Sequence, residues 1–284
     1  MMMPNFIEIE TSTYCNRRCS FCPNGIYDRG VEQRLIDKPL FKKIVLDLKS
    51  EEYEGTIALH NYNEPLFDPL LYEHLMMLSD NIPRSKRIIL TNGDILDREK
   101  LTNLDSLGVN LVRITLYSAI QNPIEAIIKH ARNLGLNAQP VVTNDGTVSR
   151  LEFNRMKVSY LVPNRGLFSS RGGLLEKKIC SEHCYLPLVS SAIDVDGNMK
   201  ICCEVYPANE MHYNRGIIGN LRDKSFLDLW LSSEYNQIRA DLLKNDKQNK
   251  ICRKCTKIPK SSRKVTLEII DKWKEILKDE HLLD

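Results

Sequence analysis

From Phe6 to about Val162, short apolar runs ending in polar or glycine-rich turns alternate with longer segments whose apolar residues recur at helical spacing. Strands and helices in strict alternation bury both faces of a sheet only when the strands run parallel and the helices cover them. The strand-like runs are residues 7–13, 56–62, 87–91, 111–116, 137–142 and 158–162, and the helical patterns between them are 39–48, 70–78, 98–107 and 123–134. Gly108 and Gly135 stand where a helix would end. In a parallel sheet the functional rim lies at the carboxyl ends of the strands. The tips here, Thr13-Tyr14-Cys15, Tyr62-Asn63-Glu64, Thr91-Asn92-Gly93, Tyr117-Ser118 and Thr143-Asn144, are all polar.

The alternation stops at residues 163–173, where Pro, Gly, Ser and Arg read as a linker. Beyond it lies a cysteine-bearing region of short elements to about residue 258. Residues 266–283 then show helical periodicity dense in charge, the pattern of a helix packed on one face and solvated on the other. The expected division is a first domain over 1–165, a second over 166–262 and a C-terminal helix over 263–284.

Composition removes several function classes. Forty basic and 37 acidic side chains give a net charge of +3, so no broad electrostatic field favours nucleic acid or an anionic membrane. No run approaches the roughly 18 apolar residues of a membrane span, and the start lacks the basic and apolar regions of a secretory signal. The chain therefore reads as soluble and cytoplasmic. In that reducing compartment nine cysteines point to metal ligands or catalytic groups before disulfides. They fall in two sets, Cys15, Cys19 and Cys22, and then Cys180, Cys184, Cys202, Cys203, Cys252 and Cys255. Two sets imply two sites.

The first set is C-x3-C-x2-C on the loop after the first strand. Three thiolates can hold three irons of a cubane and leave the fourth open. A zinc site or buried thiols are the plain alternatives, and zinc would need a fourth ligand that no neighbouring His or Cys supplies. With Phe21 as the aromatic before Cys22, this loop resembles that of the radical S-adenosylmethionine (radical SAM) superfamily. The resemblance implies an α/β fold, a partial (β/α)6 TIM-like barrel, whose 4Fe-4S cluster binds SAM through the open iron and yields a 5′-deoxyadenosyl radical. It also implies SAM contacts at Asn63 and Glu64, which match a Gly-Gly-Glu-Pro-like motif with asparagine in place of a glycine. Asn92 within Thr91-Asn92-Gly93 and Ser118 after the fourth strand match further SAM-contacting positions.

In the second set, Cys184, Cys202, Cys252 and Cys255 supply four thiolates, enough to close a second 4Fe-4S cluster or a zinc ribbon. Asp194-Val195-Asp196-Gly197-Asn198 reads as a tight hairpin bringing Cys184 and Cys202 together. The spacing resembles twitch, the shortened SPASM extension of the same superfamily, which holds one auxiliary cluster in a small C-terminal domain. Cys180 is left as a spare ligand or a buried thiol. Cys203 beside Cys202 is a candidate hydrogen-atom donor or a packed small residue.

The resemblance implies oxidation at a carbinol C–H of a small polar substrate of sugar or aminocyclitol type, with an electron donor such as flavodoxin or ferredoxin. Epimerisation using Cys203 and peptide modification are the alternatives. Arg165, Arg171 and Glu204 are polar residues near the domain junction, and no base can be chosen among them.

Overall fold

The computed structural model describes residues 2–27, 33–118, 121–164, 169–175, 184–246, 248–256 and 267–283. Cys180 and Arg165 lie outside them. The first half runs β1 (Phe6–Ile9), α1 (Lys38–Ser50), β2 (Thr56–Ala58), α2 (Leu71–Asn81), β3 (Lys86–Thr91), α3 (Arg98–Ser106), β4 (Leu111–Thr115) and α4 (Pro123–Asn133). Three strands follow, β5 (Val141–Thr143), β6 (Gly146–Phe153) and β7 (Met156–Pro163). The second half comprises α5 (Leu186–Val189), β8 (Ser190–Ile193), β9 (Asn198–Lys200), α6 (Glu210–Gly216), β10 (Ile217–Asn220), α7 (Phe226–Trp230), α8 (Ser233–Leu243), α9 (Lys250–Lys254) and α10 (Leu267–Asp279).

All ten strands form one sheet in the order β10-β9-β8-β1-β2-β3-β4-β7-β6-β5. β1 to β4 and β7 are parallel neighbours, as the alternating pattern requires. In α1 the buried residues Leu40, Phe41, Ile44, Val45 and Leu48 make one stripe, the signature of a helix lying on a sheet. Gly108 and Gly135 have φ of +74° and +68°, the left-handed ending that glycine adopts without strain.

The fifth unit departs from the expected order. Residues 137–142 were to be an interior parallel strand, but only Val141–Thr143 is extended, and it pairs antiparallel with β6 at the outer edge. Pro140 precedes it, and a residue without an N–H suits an edge and not a central strand. The fifth parallel strand is β7, delivered by a hairpin in which Phe153 pairs with Met156 around Asn154, whose φ is +51°. Among the described residues the parallel wall therefore runs through β1 to β4 and β7 with the helices α1 to α4, and β8, parallel to β1, is its sixth strand.

The second half joins the same sheet. β8 pairs parallel with β1, Phe6 beside Ser190 and Ile9 beside Ile193. β8 and β9 form the expected hairpin, with Gly197 at φ +89°. α10 docks through Trp273 and Leu277, both fully buried, and the Trp273 Nε1 donates to the Leu188 carbonyl at 2.8 Å. Trp230, Tyr235 and Trp273 surround the buried Arg239 guanidinium with ring centroids 3.8–4.1 Å away, so cation–π attraction and three acceptors replace its lost water. Burial nevertheless pulls the Arg239 pKa down to about 9. Among the described residues no helix is long and apolar enough to cross a membrane.

Replacing Trp273 with Ala removes the keystone of this packing. We expect a loss of about 3–5 kcal/mol and faster amide hydrogen exchange along α10; unchanged exchange there would show that the helix docks by other means.

Candidate active site

Alternation along the strands decides what faces the barrel interior. Ile7 and Ile9 of β1 enter the hydrophobic core, while Glu8 and Glu10 turn the other way, accepting from the Asn61 side chain at 3.4 Å and the Tyr62 N–H at 3.0 Å. The carboxyl ends of β1 to β4 enclose a cavity of about 350 Å³, the size of a small-molecule site.

Cys15, Cys19, Phe21 and Cys22 line one wall. The Cys22 N–H donates to the Cys19 carbonyl at 3.0 Å and the Gly25 N–H to the Cys22 carbonyl at 2.9 Å. A Cβ on Gly25 would sit 2.5 Å from the Cys19 carbonyl oxygen, which reserves that position for glycine. From outside, Asn16 and Arg17 both donate to the Asp94 carboxylate, at 2.8 and 2.7 Å, and a second Arg17 nitrogen meets its other oxygen. These bonds, Arg17 first, hold the Asp94 carboxyl below the usual range. Asn92 Nδ2 donates to Asn16 Oδ1 at 2.8 Å, and the Glu64 N–H to the Tyr14 carbonyl at 2.9 Å. The thiol loop is thus fastened to the tips of β2 and β3.

Glu64 is buried, and its two oxygens accept from Thr91 Oγ1 at 2.6 Å, the Asn92 N–H at 2.7 Å and the Leu66 N–H at 3.2 Å. Burial raises its pKa and these three donors hold the rise back. A carboxylate has about four acceptor positions, so one remains for a cation on the cavity side. Among the described residues the buried Asn63 Nδ2 has no partner. An unmatched donor on a cavity wall fits a bound molecule that brings an acceptor. Phe21 stacks near Tyr117, ring centroids 5.0 Å apart. Ser118 is exposed and does not line the cavity, whereas Tyr117 does.

The opposite wall is the segment read as a linker. Residues 169–173 form a packed loop, with Ser169 and Ser170 buried. Arg171 lines the cavity, donates to Glu204 Oε1 at 3.5 Å and holds φ +50°. Burial opposes the guanidinium charge, but Glu204 and then Tyr62 outweigh it and raise its pKa. Glu204 also accepts from Ser169 Oγ. Cβ atoms on Gly172 and Gly173 would meet Ile251 and Lys254 at 2.5 Å, so Arg171 sits beside two obligatory glycines. The Ser170 N–H donates to Thr256 Oγ1 at 2.6 Å, the Thr256 N–H to Ser170 Oγ at 3.0 Å, and Ser170 Oγ to the Lys254 carbonyl at 2.9 Å.

Those bonds stitch the Arg171 loop to the turn carrying Cys252 and Cys255. The negative charges of Cys203, Cys252, Cys255 and Cys184 all reach Cys202, which with burial as the largest cause pushes its thiol well above the ordinary range. Burial first, and then Glu64, Cys22 and Cys19, raise Cys15 to about 11 against a favourable Arg17 N–H. The structure therefore brings together the three cysteines of the first set, and four of the second. Among the described residues no three His, Cys, Asp or Glu converge tightly enough to share one metal ion. Thiols gathered in this way form a donor set whose mutual repulsion an iron–sulfur cluster would relieve by holding them as thiolates. Cys203 is buried beside Cys202 and interacts with Tyr62 and Arg171 through its charge. It does not line the cavity.

Two family models match the chain, the radical SAM superfamily over residues 9–141 and an iron–sulfur cluster-binding domain (SPASM) over residues 184–256. The chain is a radical SAM enzyme. The S-adenosyl-L-methionine-dependent 2-deoxy-scyllo-inosamine dehydrogenase of Niallia circulans is 26% identical over 260 residues, 89% of this chain and 93% of that one. A crystal structure of BtrN in complex with AdoMet and 2-DOIA superposes with a TM-score of 0.73 at 24% identity, covering 93% of this chain and 97% of BtrN. Selenomethionyl BtrN in an open conformation gives 0.64 at 24% identity, covering 90% and 94%. The radical SAM domain carries a SAM-binding 4Fe-4S cluster, and the SPASM domain implies auxiliary cluster binding.

Several site residues of this radical SAM enzyme escape sequence reasoning. The Arg17–Asp94 clamp joins residues far apart in sequence and leaves no local signal. His60, Asn61 and Arg113 line the cavity, and their signal is available: each is a polar residue interrupting an apolar strand or following it directly.

His212 anchors the Arg171 loop, accepting from the Tyr206 N–H on Nδ1 at 3.1 Å and reaching the Gly172 carbonyl through Nε2 at 3.3 Å. Burial lowers its pKa to about 4. The unfolded chain takes up this proton near the ordinary value of about 6.5, so between those limits it binds more protons than the folded state and stability rises with pH. Melting temperature should therefore fall more steeply from pH 6.5 towards 4 in the wild type than in His212→Gln; parallel profiles would sink this assignment.

Proposed function

We propose that this enzyme oxidises a carbinol C–H of a small hydroxylated molecule, of sugar or aminocyclitol type, to a ketone. The observation that carries the reading is one cavity with the three-thiol loop on one wall and, on the other, an arginine loop stitched to the second set of thiols. The relative from Niallia circulans, named for dehydrogenation of an aminocyclitol, supports it.

In this reading Cys15, Cys19 and Cys22 hold the cluster that binds SAM, and Cys184, Cys202, Cys252 and Cys255 hold one auxiliary cluster. Asn63, Glu64, Asn92 and Phe21 face SAM, and Tyr117 in place of the exposed Ser118 serves the β4 tip. The working division is a barrel over 1–165, an auxiliary domain over 166–262 and a C-terminal helix over 263–284, with residues 169–173 serving both halves. The bound groups supply hydrogen-atom abstraction and a one-electron acceptor.

The chain supplies geometry and proton handling. Arg171, fixed by Glu204, donates hydrogen bonds that orient substrate hydroxyls. His60 lines the cavity, and its Nδ1–H donates to the Asn63 carbonyl at 3.1 Å, leaving Nε2 with a lone pair. Burial lowers the His60 pKa, with Arg171 adding to it against Glu8 and Glu10. A neutral imidazole at neutral pH can take the carbinol proton. The walls that exclude water protect the radical stage from side reactions. We place the enzyme in the reducing cytoplasm, with a one-electron donor of flavodoxin or ferredoxin type.

The test is anaerobic turnover of reconstituted enzyme with SAM, reductant and a panel of polyols and sugars. Equal amounts of 5′-deoxyadenosine and a trapped ketone are expected, with Arg171→Met lowering kcat/KM by about 10- to 150-fold, the range set by one hydrogen bond to a charged group. Substrate inverted at carbon without ketone would refute dehydrogenation.

Cys203 stands off the cavity, so Cys203→Ala should keep turnover within about fivefold, roughly 1 kcal/mol of barrier. Abolished turnover together with solvent deuterium in the product of the wild type would instead assign Cys203 as hydrogen donor to an epimerase.

A further inference from the structure

Arg113 stands in the middle of β4 and lines the cavity. Its neighbours Val112 and Ile114 are fully buried in the core, so alternation sends Arg113 to the interior face together with Thr115. Across the sheet Arg113 pairs with Ser159 of β7, and Ser159 pairs with Arg150 of β6. Two guanidiniums thus share one row, about 10 Å apart at the backbone from the strand spacing. Burial and then the charge of Arg150 both work against the positive charge of Arg113.

The other arginines of the cavity are matched, Arg17 by Asp94 and Arg171 by Glu204. Among the described residues Arg113 has neither a carboxylate partner nor a hydrogen-bond acceptor. Neither acid on the cavity wall pairs with Arg113 among the described residues. Glu64 already accepts three hydrogen bonds, and Asp145 sits on the exposed turn between β5 and β6. A largely buried guanidinium left without a counter-charge is costly unless a ligand supplies one.

Depth separates Arg113 from the thiol loop. Tyr117, which contacts Phe21, lies past the end of β4 at Thr115, and at about 3.3 Å per strand residue the Arg113 backbone lies some 7 Å below that end. Its backbone therefore stands below the rim that carries the cysteines.

We propose that Arg113 is a specificity residue that receives an anionic group of the substrate, a phosphate or a carboxylate, with Arg150 flanking the same row. The inference rests on the reading that this cavity holds a hydroxylated small molecule, and adds that the molecule carries negative charge. Arg113 would engage phosphate or carboxylate through its planar fork of donors.

The test is calorimetric binding to the full reconstituted chain loaded with SAM and given no reductant. The probes are glucose 6-phosphate, glucuronate, glucose and glucosamine. At least one anionic sugar should bind about tenfold or more tighter than both glucose and glucosamine, and the margin should shrink as salt rises; phosphate against glucuronate distinguishes the two anions. Arg113→Met should erase the margin while SAM affinity stays within about twofold. Arg113→Lys, which keeps the charge without the fork, should retain a reduced margin and decides the matter if the Met variant does not fold. No anion preference in the wild type, a preference that survives in Arg113→Met, or a variant that loses SAM instead would each overturn the assignment. Binding is read without turnover, so absent ketone formation counts against the dehydrogenase reading alone. Ketone formation from substrates that show no anion preference counts against Arg113 alone.

Discussion

The buried carboxylate of Glu64 is the knot on which the site depends. It caps the short turn after β2 and accepts from both residues at the tip of β3, while its own backbone N–H holds the thiol loop at Tyr14. Three segments that meet nowhere else in sequence are drawn to one point. A carboxylate so enclosed is tolerable because its donors are fixed in place before any ligand arrives. Asn92 and Asp94 extend the knot to Asn16 and Arg17, so a loop that would otherwise be free to move presents its three thiols in a set arrangement.

Charge in the interior is matched almost throughout. Lys200 is fully buried, yet its Nζ donates to Asn61 Oδ1 at 2.5 Å and to the Val205 carbonyl at 3.4 Å, and Asn61 passes the contact on to Glu8. Arg239 is enclosed by three aromatic rings. Against this background Arg113 stands without a carboxylate partner among the described residues, and it occurs on the wall of the cavity. Structural charges carry their partners with them; a charge kept for a ligand does not.

Much of the architecture was legible because it follows from period. The helices at α1 to α4 appear within a few residues of their patterns, and glycines with positive φ stand at two of their ends. The fifth unit was misread because residues 137–142 look extended in isolation; only pairing distinguishes an edge strand after Pro140 from an interior one. The loop at 169–173 was misread for a related reason. Its glycines and serines have the composition of a tether, but their smallness admits Ile251, His212 and Lys254 to close contact, and composition cannot separate a flexible segment from a crowded one. The cysteine spacing announced two thiol sets. The partners that orient them, Asp94 and Ser170 among them, come from distant positions and left no local trace.

The parallel pairing of β8 with β1 has a consequence for how the molecule is made. β1 gains its second neighbour only from Ser190–Ile193, so the long stretch of chain between Ile9 and Ser190 must leave the ribosome before that edge is covered. Until then the nascent barrel carries an open strand beside polar residues meant for an enclosed interior, a state prone to pairing with another chain. Closing so long a loop slows the last step of folding. The two halves therefore cannot mature as separate modules, and a chain shortened before β8 would leave the barrel with the wrong strand at its rim.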